Sequence, residues 1–556
     1  MDSYKSSPRA HLRIPQKAFQ WARARRLTLV AIISTLLLIA LFRVHPLYSV
    51  EVSLLISFQH GYTSGSSIPP YHSSSSSDKI PRIHLLVPDN KPDANLCKNI
   101  LTARINRYPT PHILNWGAEF EGEASAFGTH VAKLTVVNKY LSSLPESADS
   151  DLVLLVDAFD IWFQLPLRVL LSRYHAINRR ANARILKQVG SKRMKEEGVR
   201  QSIVVSTQKR CWPGDTAEPW CYAVPQSPLP RDLYGEDTDR DITVWDDDTF
   251  KFARFRPRFV NSGIVMGKVG DMKKLYTRLN ELWHTEMEGE VHDQAILARI
   301  FGSQEYQRRI WQDELNWEKE QQRSSWLPKV MSKDGEKSGL RNSSYGDNHP
   351  TRRRPDLEEG KTYQFAMGLD YWSEIGVPTV FSDFDYEWIR WNDTSALHLA
   401  WEDHNVTNPL RDSLDDDIID AAPPFVSLDD AVNTESEGGG GWASQSLFSN
   451  LWTGVTPAIV HHNAHRNGLK ANREKMWPSL WLQPHARELI AERVAEPSSG
   501  KEYANNVGND EIMTGLSFGA YTDKPGAESL SWGQLCDEDM QEEVFRDGKG
   551  VLKLGG

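Results

Sequence analysis

An apolar run at 152–156 ends directly in Asp157, and a second carboxylate follows at Asp160. Five consecutive branched aliphatic residues suit a strand covered on both faces of a parallel sheet, and ligands of such sheets gather beyond the carboxyl ends of the strands. Residues three apart on a straight strand point to opposite faces, so the two acids converge only if the chain turns where the strand stops. Converging acids make a hard, anionic oxygen site suited to Mn²⁺ or Mg²⁺ shared with substrate phosphates. The same spacing also fits a plainer arrangement in which Asp157 caps a short helix and Asp160 is a solvated turn residue.

Four further segments carry chemistry-bearing side chains. Asn261, Ser262 and Gly263 form a polar turn entering an apolar strand, where glycine permits close backbone approach to a ligand or simply opens the strand. His292, Asp293 and Gln294 open a helix, a place where an acid usually caps. His461, His462 and His465 follow an apolar strand and precede Gly468 and Lys470. Such a segment supplies an imidazole ligand and a phosphate-binding cation, or plain hydrogen-bonding surface residues. Cys211 and Cys221 bracket a short loop that contains Trp212 and Pro213; they read as a disulfide, with two buried thiols the alternative.

The elements that must position these residues alternate. Strands are expected at 83–87, 112–116, 152–156 and 203–206, and helices at 95–105, 131–141, 266–284 and 292–301, with a basic helix-prone stretch at 166–195. This alternation predicts an α/β domain built on a mainly parallel mixed sheet flanked by helices, spanning about 80–495. The acidic stretch 232–248 reads as a solvated loop. Polar 321–361, with Arg352, Arg353 and Arg354 inside it, and 412–441, ending in four glycines, read as insertions. Residues 496–556 read as a C-terminal extension.

The N-terminus speaks to location. Residues 27–42 are apolar and uncharged, and extended to 48 they make a transmembrane helix. Lys5, Arg9, Arg13, Lys17, Arg23, Arg25 and Arg26 stand before it against the single acid Asp2, so 1–26 is expected to be a cytosolic tail and the rest luminal. A cleaved signal peptide is the competing reading. The Ser-rich 49–79 is expected to be a flexible stem. Sequons at Asn342, Asn392 and Asn405 and an even count of four cysteines fit a glycoprotein in an oxidising lumen. A net charge of −10 with no basic stripe after the anchor argues against nucleic acid as a partner.

In chain order, Val-Asp-Ala-Phe-Asp at 156–160, Cys-Trp-Pro at 211–213, Asn-Ser-Gly at 261–263, Asp-Gln at 293–294 and the late His-Asn-Gly-Lys segment resemble a known pattern. Over 83–487 the chain is similar to the glycosyltransferase domain of procollagen lysyl hydroxylase/glucosyltransferases and, more broadly, to metal-dependent GT-A glycosyltransferases that use UDP-sugars. The resemblance implies that Asp157 and Asp160 hold Mn²⁺ (or Mg²⁺) against the donor diphosphate. His462 would complete the metal site, with His465 as the alternative. Lys470 would meet the phosphates, Lys133 would stand on the nucleotide side, and Asn261 joins the cofactor-binding set. Trp212 and Asp293 would line the sugar and acceptor side as the catalytic candidates, although His292-Asp293-Gln294 stands where the family has a richer acidic run.

The implied protein is a single-pass type II hexosyltransferase of the Golgi or endoplasmic reticulum membrane, with a GT-A-like domain acting on a luminal glycan or protein acceptor. No oxygenase domain is expected, because the resemblance fills most of the luminal chain. Two other function classes use the same residues: a metal-dependent phosphoester hydrolase, and a non-catalytic luminal scaffold of GT-A-like fold.

Overall fold

The computed structural model describes residues 82–119, 124–241, 251–287, 292–326, 352–422, 441–464, 469–495, 518–524 and 528–553. The chain divides after Asp78, and the expected tail, transmembrane helix and stem all lie outside the described residues, as does Asn342. Among the described residues no helix is long and apolar enough to cross a membrane.

The second unit opens with β1 (Ile83–Pro88), helix α1 (Ala94–Ile105), β2 (His112–Leu114), helix α2 (Ala124–Ser143) and β3 (Leu152–Val156). Each starts where the sequence supplies a local reason. Asp93 caps α1 by accepting from the Asn95 backbone N–H, and every residue of β3 is buried, as a strand of unbroken aliphatics requires. There follow β4 (Ile161–Phe163), helix α3 (Leu167–Glu196), β5 (Ile203–Gln208), β6 (Phe259–Lys268), helix α4 (Val269–Glu286), helix α5 (Asp293–Trp326) and β7 (Met367–Leu369). The later strands are β8 (Gly376–Pro378), β9 (Tyr386–Ile389), β10 (Leu447–Asn450), β11 (Ile459–His461), β12 (Ala520–Thr522) and β13 (Ser529–Leu530).

Eight strands form one sheet in the order β13-β12-β2-β1-β3-β6-β5-β7. β1 runs parallel to β2 and β3, β12 parallel to β2, and β5 parallel to β7; β6 is antiparallel to both its neighbours. The sheet is therefore mixed and mostly parallel with helices against it, as expected from the alternation. A continuous core runs from Leu85 and Leu154 in the sheet to Leu96 and Ile100 of α1 and to Leu275 and Leu279 of α4. A small second sheet, β4-β11-β8, stands apart from the large one.

Several expected boundaries move. Residues 266–268 finish β6, because their backbone continues the ladder with β3, and the helix begins at Val269. Helix α5 continues far beyond 301 to Trp326, so 321–326 is helix and not insertion. Its middle is held by Trp311, which buries itself against Ile185 and Val189 of α3. In the acidic stretch, Asp239 is the partner of the buried Arg256, accepting from its Nε at 2.9 Å. Residues 242–250 lie outside the described residues. In the second expected insertion, Asp417 and Asp415 clasp Arg173 of α3 at 2.7 and 3.1 Å.

The largest change concerns 496–556. Its described residues, 518–524 and 528–553, complete the domain: β12 pairs with the outer edge of β2, and Cys536 is bonded to Cys97 of α1. The helix Glu538–Phe545 buries Val544 and Phe545 in the main core.

Candidate metal centre

The strand carrying the first acid stops at Val156 because the chain leaves the large sheet there. The Asp157 N–H still donates to the Gly263 carbonyl of β6 at 3.0 Å, after which the backbone turns and enters β4 of the small sheet. The buried amide of Asn99 pins this turn from α1, with Nδ2 donating to the carbonyls of Asp157 at 3.0 Å and Ala158 at 3.1 Å. Asp157 is thus followed by a turn and a strand, not by the helix it would cap in the plainer reading.

β11 lies antiparallel to β4 with His461 opposite Ile161, which sets the imidazole beside Asp160. His461 Nε2 is 3.4 Å from Asp157 Oδ2 and 3.3 Å from Asp160 Oδ1. One ligand atom from each of the three residues lies within 4.8 Å of the others. Asp160 and His461 are buried while the Asp157 side chain is 34% exposed, so the cluster opens on its Asp157 side.

The imidazole in this cluster is His461 and not His462, the residue expected from the sequence. Successive side chains along extended backbone face opposite ways, and the register of β11 turns His461 toward the acids. His462 packs on the far side with its ring 4.1 Å from that of Trp162. Burial pushes the His462 imidazole down to about 3, which keeps it neutral in the core. His465 lies outside the described residues; Lys470 stands in the helix Leu469–Met476, with its side chain outside what is described.

Lys133 of α2 reaches the cluster from the other side. Its Nζ is 2.7 Å from Asp157 Oδ1 and 3.1 Å from Asp293 Oδ2, and it donates to the Ser262 carbonyl at 3.0 Å. Burial alone would lower the ammonium, but the Asp157 and Asp293 carboxylates outweigh it and hold it well above the ordinary lysine value. Asp293, at the start of α5, is accordingly a buried ion-pair partner at the helix's positive end. Three carboxyl side chains (Asp157, Asp160, Asp293) thus gather around one lysine and one imidazole.

Asn261 braces the floor. Its Nδ2 donates to Gln208 Oε1 at 2.9 Å and Gln294 Oε1 at 3.3 Å, and its Oδ1 accepts from the Gly263 N–H at 3.1 Å. Gly263 is the functional position that the sequence understates: the group that approaches its backbone is the ring of His461, within the protein itself. Trp212 is 40% exposed in the loop closed by the Cys211–Cys221 disulfide, the pairing expected from the sequence. Its ring meets that of His292 at 6.1 Å, which places the indole next to the start of α5 and Asp293. The arginine run lies exposed on a surface loop, as expected, and also secures this disulfide loop. Arg353 donates its backbone N–H to the Ala217 carbonyl at 2.8 Å, and its guanidinium pairs with Asp215 and Glu218.

Two carboxylates and an imidazole whose Nε2 faces both of them form a mixed oxygen and nitrogen donor set that fits a divalent cation of the Mn²⁺ or Mg²⁺ kind. No protein-family model matches the chain, and no curated protein matches it at a significant level.

Proposed function

We propose that this chain is a metal-dependent glycosyltransferase of GT-A-like fold that moves a hexose from a nucleotide-sugar donor, a UDP-sugar, to a glycan or protein acceptor. The observation that supports it best is the convergence of Asp157, Asp160 and His461 just beyond the carboxyl end of β3. Cleaving a sugar–phosphate bond builds negative charge on the departing nucleotide, and Mn²⁺ or Mg²⁺ held by these three residues would neutralise that charge without proton transfer. Lys133 and Asn261 do not need to touch the nucleotide in this reading. Lys133 fixes one oxygen of Asp157, leaving Oδ2 on the His461 side, and Asn261 holds the strand that carries Gly263. The exposed indole of Trp212 offers a stacking face on the sugar side.

The compartment follows the same reading. All four cysteines are paired, as in an oxidising lumen. The sequon asparagines 392 and 405 are both exposed, one at each end of the helix Thr394–Asp403. With 27–48 as a membrane anchor, the domain faces the lumen of the Golgi or endoplasmic reticulum.

Calorimetric titration of the full chain with UDP, in Mn²⁺ and then in EDTA, tests the proposal. UDP is expected to bind only with Mn²⁺, and Asp160→Ala and His461→Gln to weaken that binding by more than about tenfold, since even partners one step removed from a metal shift its affinity about 10–100-fold. His462→Phe, which keeps the packing on Trp162, is expected to bind normally. Normal UDP affinity in Asp160→Ala would defeat the assignment. A panel of UDP- and GDP-sugars scored by nucleotide release then identifies the donor.

A further inference from the structure

Arg210 lies just past the end of β5, and β5 runs in the same direction as β3 because both are antiparallel to β6. It therefore stands at the same edge of the sheet as Asp157. Its guanidinium is ringed by aromatic side chains: Cζ is 5.7 Å from the ring of Trp212, 5.2 Å from that of Phe252 and 5.9 Å from that of Phe381.

Two of these rings belong to segments that contact the residues around the metal centre. On one side Trp212 meets His292, whose neighbour Asp293 pairs with Lys133 and through it with Asp157. On the other, Phe381 follows Thr379 and Val380 in the chain. Their backbone N–H groups donate to the His461 carbonyl at 2.9 Å and to Asn463 Oδ1 at 3.0 Å. Arg210 thus bridges the disulfide loop and the 379–381 segment, which is hydrogen-bonded to the strand of His461.

Rings attract a guanidinium through their faces but accept none of its five N–H donors in the plane where an oxyanion would. Among the described residues no carboxylate pairs with Arg210 and no acceptor takes a hydrogen bond from its side chain. A half-buried arginine held this way is a permanently charged, preoriented fork matched to a carboxylate or phosphate. The diphosphate of the proposed donor already has Asp157, Asp160 and His461 with their cation to meet it. The exposed indole beside Arg210 is a surface for a pyranose ring, and a pyranose lying there with a carboxylate at its edge reaches the guanidinium.

We propose that Arg210 recognises the carboxylate of a uronic acid, so that the substrates of this site include a uronosyl unit. The proposal rests on the glycosyltransferase reading and deepens it. The carboxylate belongs either to the donor sugar or to the acceptor, and two arms of one experiment separate them. With the full chain in Mn²⁺, calorimetry compares UDP-glucuronate with UDP-glucose. With the chain saturated by Mn²⁺ and UDP, it then compares cellobiouronic acid with cellobiose.

In one arm the uronate is expected to bind at least tenfold more tightly than its neutral counterpart. Arg210→Gln is expected to erase that preference while binding Mn²⁺ and UDP as the wild type does, and melting curves verify that it folds. Arg210→Lys, which keeps the charge but loses the fork, is expected to retain only part of it. Equal binding of charged and neutral sugars in both arms overturns the proposal, as does a preference that survives Arg210→Gln. A loss of UDP affinity in Arg210→Gln overturns it too, by assigning the residue to the diphosphate. Failure of the wild type to bind UDP with Mn²⁺ at all is a distinct result, which removes the glycosyltransferase reading itself.

Discussion

Gly263 and His461 share a space that no side chain at 263 leaves open. A Cβ built on Gly263 would lie 2.1 Å from His461 Cε1, 2.4 Å from its Nδ1 and 2.9 Å from Asp157 Oδ2. These contacts are far inside van der Waals distance, and the neighbours cannot give way, because the ring is buried and the Gly263 carbonyl holds the Asp157 N–H. Gly263→Ala is therefore expected to push the imidazole out of line with both acids. The overpacking costs about 1–3 kcal/mol of stability, read by urea unfolding, and Mn²⁺ affinity is expected to fall at least about tenfold. A variant that keeps wild-type Mn²⁺ affinity would show that the ring position does not matter to the site.

The Cys97–Cys536 disulfide spans a sequence separation of 439 and anchors the C-terminal segment to α1. Cys536→Ser is expected to cost about 2–5 kcal/mol, the usual loss on removing a native disulfide. The check is a lower urea midpoint, with a steeper transition because the unfolded chain is no longer cross-linked. An unaltered midpoint would mean that β12, β13 and the buried Val544 and Phe545 hold the segment without the covalent link.

His112 predicts an acid-sensitive seam between β2 and β12. Its ring lies 5.3 Å from Tyr521 and 5.1 Å from Tyr140, and burial, with a smaller contribution from His84, pushes the imidazole down from 6.5 to about 4. The folded state holds this histidine neutral while the unfolded chain takes up a proton below about 6.5. Its contribution is accordingly intact above that pH and is lost progressively toward pH 4. The wild type is expected to lose melting temperature relative to His112→Phe as the pH falls from 7 through that window. Parallel curves for the two proteins would contradict it.

Much of this architecture was legible because it depends on local pattern. The aliphatic run at 152–156 is a buried strand, the helix expected at 95–105 is there, and the pair Asp157 and Asp160 converges because the chain turns between them. The rest is set by distant partners. Whether position 461 or 462 faces the acids is a matter of strand parity, fixed by pairing with residues near 161 and 377. The reach of α5 past 301 hides in its charges, since Glu305 and Arg308 look solvent-facing but neutralise each other within the fold at 2.7 Å. Strands as short as β12 and β13 carry too few residues for alternation to register, and only the open edge of β2 gives them a place.

That last pairing bears on how the protein is made. A ribosome has delivered six of the eight strands of the large sheet before Ala520 emerges, and until then β2 presents its outer N–H and C=O groups to whatever is near. A premature stop anywhere upstream leaves that edge bare and Cys97 without its mate. Nonsense alleles late in the reading frame are thus a matter for chaperones and degradation, however complete their metal ligands are.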